Sequence, residues 1–227
     1  MLLILADPRD EGAHFLADRW SSLGARMVVP RDLSTVGWRH TMGDSSEQWA
    51  VASGERVRTR DVTGVLVRMP WVFEENLPHI ALEDRSYVAA EMNAFLTAWL
   101  FALTSIVLNR PTTSSLLGPN LSHERWLVAA ARAGLRIPLQ NCRFPRLEQP
   151  HACFAVTVVA DQWFGDVSAA LGRQAVRLAK LVGAELLTAH FDRQDPDATF
   201  DSAELLIDPT SEAVADALFD RFAGVRA

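Results

Sequence analysis

Lysine is almost missing from this chain of 227 residues: Lys180 stands alone, and the other 21 of its 22 basic residues are arginine. A GC-rich genome accounts for that bias as well as any function does, so it matters only for chemistry that specifically requires lysine. A basic stripe is missing too. With a net charge of -6 and a pI near 5.5, nothing in the chain is set up to neutralise nucleic-acid phosphates or an anionic bilayer, and neither partner is expected. Long apolar runs are absent: the greasiest stretch, residues 94–108, contains Thr97, Thr104 and Ser105 and falls short of the ~18–20 residues that a bilayer span requires. The apolar opening, residues 1–6, has no basic flank and meets Asp7-Pro8 too soon for a signal peptide, so a cytoplasmic protein is expected. In that compartment Cys142 and Cys153, the only cysteines, are expected to be reduced thiols; the alternative is that they approach each other across the segment between them.

Several catalytic signatures are missing as well. His14, His40, His79, His123, His151 and His190 form no H-x-H or H-E-x-x-H pattern and have no cysteine at zinc-site spacing, so no metal site is expected. There is no G-x-S-x-G nucleophile elbow. Thr112 to Ser115 with Gly118 offer hydroxyls and amides of the kind that cradle phosphate, but no lysine is near them, and a solvated loop is the better reading.

What is present is an ordinary globular balance, 49% hydrophobic and 22% charged. Residues 2–6 read as a buried strand. They lead into a helix at 10–23, with Phe15, Leu16, Trp20 and Leu23 at helical spacing, and then a strand at 26–29. Residues 48–59 alternate around Ser53-Gly54 as a hairpin, and 62–68 form a buried strand ended by Met69-Pro70. A wide apolar stripe of Val88, Met92, Phe95, Leu96, Trp99, Leu100 and Leu103 predicts a long helix over 83–103. A second helix, at 122–133, starts at an N-cap serine and ends at Gly134. Residues 138–152, with three prolines and no periodicity, read as a connector. Strands at 153–159, 162–164, 184–190 and 203–207 and helices at 170–182 and 211–222 complete the chain.

In this order the motifs resemble those of the RimK-like branch of the ATP-grasp ligases. "GVLVRMP" at residues 64–70 is similar to the strand that closes the family's N-terminal domain, with Arg68 and Pro70 in place. Glu91, the long helix and "VLNRP" with Asn109 and Arg110 match the family's next segment, and Ala130, Gly134, Leu135, Ile137 and Pro138 match the helix and strand start after it. "VTVVADQWFGD", "RLAKLVGAELLTAHF" and "LLIDPT" resemble the family's C-terminal hairpin, helix and strand, and final strand. The resemblance implies an α/β fold. Residues 1–109 would form a pre-ATP-grasp-like α/β domain with a mostly parallel sheet, and residues 110–227 a truncated ATP-grasp-like α+β remnant.

The departures bear on function. A ligase of this family makes an acyl phosphate, and that chemistry requires cations on the nucleotide phosphates and on the transferring phosphoryl group. The first lysine would fall near residues 122–124, where His123 is the only potential cation. The second belongs to a lid subdomain, for which about fifteen connector residues remain, fewer than the ~30 of a strand-and-helix unit. At the magnesium end His190, Leu206 and Asp208 stand where the family has Asp, Glu and Asn. The resemblance therefore implies a vestigial nucleotide site (His123, His190, Asp208), no catalytic residue, and neither ATP nor magnesium as a cofactor.

The expected function is that of a catalytically inactive accessory factor. It would bind a peptide or a pathway protein through Arg68, Trp71 and Phe73, with Asn109 and Arg110 nearby, because aromatic residues and arginine are enriched in interface cores. A homodimer would cover apolar surface that once faced the lid. Against this stand a structural reading, in which the aromatics only cover the long helix and Arg68 pairs with Glu91, and two functional alternatives. One is a minimal or two-subunit ATP-dependent carboxylate-amine ligase using arginines and His123. The other is an unrelated doubly wound domain binding a small molecule at its strand ends, where Asp7, Asp10 and Glu11 lie.

Overall fold

The computed structural model describes residues 1–41, 48–138 and 154–224. In chain order its elements are β1 (Leu2–Leu5), α1 (Glu11–Arg19), β2 (Arg26–Val28), α2 (Pro30–Leu33), β3 (Trp49–Ala52), β4 (Glu55–Arg58), β5 (Gly64–Val67), α3 (Arg85–Ala102), β6 (Ile106–Leu108), α4 (His123–Ala133), β7 (Phe154–Val159), β8 (Gln162–Phe164), α5 (Ala169–Val182), β9 (Leu186–Phe191), β10 (Phe200–Glu204) and α6 (Glu212–Ala223). The chain is mixed α/β and divides into two compact units, residues 1–118 with 208–227, and residues 119–207. The last helix belongs to the first unit.

The first unit is built on a parallel sheet of order β2-β1-β5-β6. Leu3, Ile4 and Leu5 of β1 are completely buried, and so is Val65 of β5. This is why both strands read as continuous apolar runs without alternation: a central parallel strand is covered on both faces. Gly64 opens β5 under the α6 ring of Phe222, where an added Cβ would lie 2.3 Å from Cδ1. The predicted stripe on α3 is present, with Met92, Leu96, Trp99 and Leu100 buried, while Phe95 is half-buried and meets Trp38 edge-on at 5.2 Å between ring centroids. The antiparallel β3–β4 hairpin turns at Ser53-Gly54, both in the left-handed region.

The second unit is an antiparallel sheet of order β10-β9-β7-β8. Val156, Val158, Leu187, Ala189, Phe191 and Phe200 form a core with Trp126, Leu127 and Ala130 of α4 and Leu171, Ala175 and Leu178 of α5. Both helices end where predicted, after residues 133 and 182; the expected Gly134 and, unnamed by the sequence reading, Gly183 take the left-handed conformation that an L side chain resists. Ser122 and Ser168 cap their starts by accepting from Arg125 N–H and Leu171 N–H. Gly172 packs under Trp163 so closely that a Cβ would lie 2.2 Å from the indole.

The last strand differs from the expectation at 203–207 and occupies Phe200–Glu204. The register with β9 shifts between Phe200 and Ser202, and such an irregularity destroys the alternation by which a strand is recognised. The apolar Leu205, Leu206 and Ile207 thus come after the strand instead of composing it. The connector lies outside the described residues apart from its first residue, Pro138, and so do both Cys142 and Cys153.

Candidate functional site

The chemistry-bearing residues of the first unit gather at the carboxyl ends of β1 and β5, the side where open parallel sheets bind ligands. Arg68 comes directly after β5, and its N–H donates to Leu5 C=O at 2.8 Å. Its guanidinium is buried and grips Asp10 with two parallel bonds, Nε to Oδ2 at 2.8 Å and Nη2 to Oδ1 at 3.0 Å. Asp10 also caps α1, its Oδ1 accepting from Ala13 N–H at 3.0 Å. One carboxylate therefore satisfies both a helix start and a buried cation, the arrangement a buried charge requires. The expected partner Glu91 is instead exposed on α3.

The same corner holds Asp208. Its Oδ1 accepts from the N–H of Thr210 at 2.9 Å and from its hydroxyl at 2.7 Å. These bonds, the backbone one foremost, hold the Asp208 carboxyl below its ordinary range, and the Arg68 charge adds to the effect. Gly12 makes the close approach possible: a Cβ there would lie 2.6 Å from Arg68 Nη2 and 3.0 Å from the Pro209 ring.

Trp71 and Phe73 lie on a loop pinned by two asparagines that the sequence did not advertise. Asn93 of α3 accepts from Val72 N–H at 2.8 Å and donates to Val72 C=O at 2.9 Å. Asn76 accepts from Phe73 N–H at 2.8 Å and donates to Asp7 Oδ2 at 2.6 Å. Asp7 in turn binds Arg9, whose hydrogen bond is the main reason its carboxyl lies below the ordinary value. Trp71 is half-buried and Phe73 is 49% exposed, so an aromatic edge on a fixed loop faces solvent. Asn109 is buried with φ at 54°, in the left-handed region that asparagine tolerates, and Arg110 beside it is exposed.

In the second unit His123 is exposed at the first position of α4. His190 on β9 alternates with the core residues Ala189 and Phe191, so it lies on the sheet face away from the helices, where its Nε2 is 3.1 Å from Glu204 Oε1. Thr157 and Thr188 meet through their hydroxyls on the same face at 3.3 Å. Glu204 was not singled out in the sequence, because it reaches His190 only through the pairing of β10 with β9. Lys180, the sole lysine, is 64% exposed and pairs with Asp161 at the β7–β8 turn. Among the described residues, no three His, Cys, Asp or Glu side chains come together in a way that could hold a metal ion. No helix among them is long and apolar enough to cross a membrane.

No family model matches the sequence, and no curated protein matches it. Solved structures do match. The macrocyclase MdnC from Microcystis aeruginosa, determined with the precursor peptide MdnA, is 12% identical with a TM-score of 0.73, covering 99% of this chain and 100% of that one. A RiPP-associated ATP-grasp ligase from Chryseobacterium gregarium, in complex with ADP and a leader and core peptide, is 11% identical with a TM-score of 0.70, covering 99% and 96%. A RimK-domain ATP-grasp protein from Sphaerobacter thermophilus is 14% identical with a TM-score of 0.55, covering 98% and 99%. Identities this low speak to architecture alone, and the architecture is unambiguous: a parallel α/β sheet and then an antiparallel sheet backed by two helices, in a chain with an ATP-grasp-like fold.

Proposed function

We propose that this protein is a non-catalytic ATP-grasp-like accessory factor that binds a peptide, or a protein of a peptide-modification pathway, and uses neither ATP nor magnesium. The observation that carries the reading is the fate of the phosphate- and metal-facing positions. His123 is the only cation where a nucleotide lysine would stand, and the single lysine of the chain is engaged with Asp161 at a surface turn. His190 is engaged with Glu204, and Asp208 with Thr210. Phosphoryl transfer depends on cations aimed at the transferring group, and none of these residues supplies that arrangement.

Peptide binding is supported by the similar solved structures, of which one is a complex with a precursor peptide and another a complex with a leader and core peptide. On this chain Trp71 and Phe73 are the residues we assign to peptide contact, since their loop is already held by Asn93 and Asn76 and ordering it costs little on binding. Arg68, three residues before Trp71, is fixed by Asp10, and Asn109 and Arg110 follow β6 in the same unit.

Calorimetric titration of the full chain with ATP and magnesium, then with ADP, tests the reading. No saturable heat up to ~1 mM ligand is the expected result. Saturable, magnesium-dependent binding at micromolar ATP would overturn it and favour a minimal or two-subunit carboxylate-amine ligase.

A further inference from the structure

Among the described residues, the β3–β4 hairpin has one edge without a backbone partner, and its chemistry is specific. Its register pairs Trp49 with Arg58, Ala50 with Val57, Val51 with Arg56 and Ala52 with Glu55, and Thr59 N–H closes the ladder on Gln48 C=O at 2.9 Å. Bonded and non-bonded pairs alternate in an antiparallel ladder. Counting from the bonded Gln48–Thr59 pair, the peptide groups of Trp49, Val51, Arg56 and Arg58 point away from the hairpin. Trp49 uses its pair on Arg39, exchanging bonds of 2.9 and 3.0 Å. Arg56 and Arg58 have no such backbone partner among the described residues, since β4 pairs only with β3.

Their side chains are equally available. Because residues two apart share a strand face, Arg56 and Arg58 lie on the face of Trp49, with their guanidinium carbons 4.5 and 5.4 Å from its ring centroid. Both are exposed. Their neighbours Arg26 and Arg60 pair with Glu55 and Asp61, but among the described residues neither Arg56 nor Arg58 has a carboxylate partner. The Arg56 stem is held in place by Gly37, where a Cβ would lie 2.6 Å from Arg56 Cγ and 3.1 Å from Val51 Cγ2. Two guanidiniums drawn to one indole repel each other and have no counter-charge among the described residues, in a chain whose net charge is -6.

Charged side chains on an edge strand ordinarily keep other strands away. A pair of unneutralised arginines does so selectively, because it admits a strand of opposite sign. We propose that the free edge of β4 binds an extended acidic peptide segment with carboxylates at alternate positions. The segment would exchange backbone hydrogen bonds with Arg56 and Arg58 and set its carboxylates against their guanidiniums beside Trp49. This site is separate from the Trp71–Phe73 loop and stands without it.

The test uses the full chain and a fluorescein-labelled, amidated Glu-Val-Glu-Val-Glu peptide, read by fluorescence anisotropy at low and at physiological salt. Binding that weakens with salt, and that falls at least ~10-fold in the Arg56→Glu/Arg58→Glu variant with an unchanged circular dichroism spectrum, is the expected result. Two forms of the peptide, N-methylated on alternate amides, separate strand pairing from charge: one frame should lose binding and the other keep it. Absence of binding, equal binding to the reversed-charge variant, or equal binding of both methylated frames would overturn the proposal. Nucleotide titration is blind to this edge, so failure here and failure of the accessory-factor reading are distinguishable.

Discussion

The parallel unit and the antiparallel unit keep their charged residues in different ways. At the strand ends of the parallel sheet, Arg68 and Asp10 are buried with side chains 6% and 14% exposed, joined by two bonds, and Asp10 also serves the start of α1. On the antiparallel sheet the comparable pair, His190 and Glu204, touches through one bond, and the glutamate side chain is 56% exposed. A buried ion becomes costly when its partner is removed, whereas an exposed pair is solvated with or without it. Arg68 is thus part of the scaffold. His190 is under no such constraint.

Arg68→Ala tests this contrast hardest. It leaves Asp10 buried without its counter-ion, and chemical denaturation should report a loss of about 3–5 kcal/mol, while His190→Ala should cost less than ~1 kcal/mol. Equal effects would abolish the distinction between the two units.

Gly172→Ala sharpens the comparison from the side of packing. Its Cβ would collide with the Trp163 ring, between α5 and β8, and overpacking of this kind costs about 1–3 kcal/mol. Gly64→Ala does the same in the parallel unit, against Phe222. Thermal unfolding monitored by Trp fluorescence should show both variants destabilised to a similar degree, since packing, unlike charge, is treated alike in the two units.

The smallest effect is a pH dependence. Asp208 has a folded-state pKa below its unfolded one, so its contribution is fully present above the ordinary aspartate range and is lost as pH falls through the folded value. Asp208→Asn keeps an oxygen for Thr210 but cannot titrate. The stability gap between parent and Asp208→Asn, measured by urea denaturation, should therefore narrow between about pH 5 and pH 2. A gap independent of pH would show that the Thr210 bonds do not favour the carboxylate.

The elements were legible wherever local chemistry is decisive. Asp10, Ser122, Gly134 and Gly183 mark helix ends because caps and left-handed glycines act within one turn. The α3 stripe and the apolar β1 and β5 could be read because one covered helix face, and strands covered on both faces, leave periodic or continuous apolar patterns. The last strand was misplaced because a register irregularity after Phe200 hid its alternation, whereas Leu205 to Ile207 imitated one.

The candidate site was legible in kind but not in partnership. Arg68, Trp71 and Phe73 stood out by residue type, but Asn76, Asn93 and Glu204 carried no signal. Their roles depend on residues far away in sequence. Sequence by itself determined the order of strands and helices and the scarcity of lysine, both of which are set within a few residues or by composition. Tertiary structure alone decided that Arg68 joins Asp10 and not Glu91, that Asp208 lies within reach of the same arginine, and that Arg56 and Arg58 share one indole on an edge with no strand partner among the described residues. Charges meet by the packing of whole elements, and no local pattern encodes which side chain a folded backbone will set beside another.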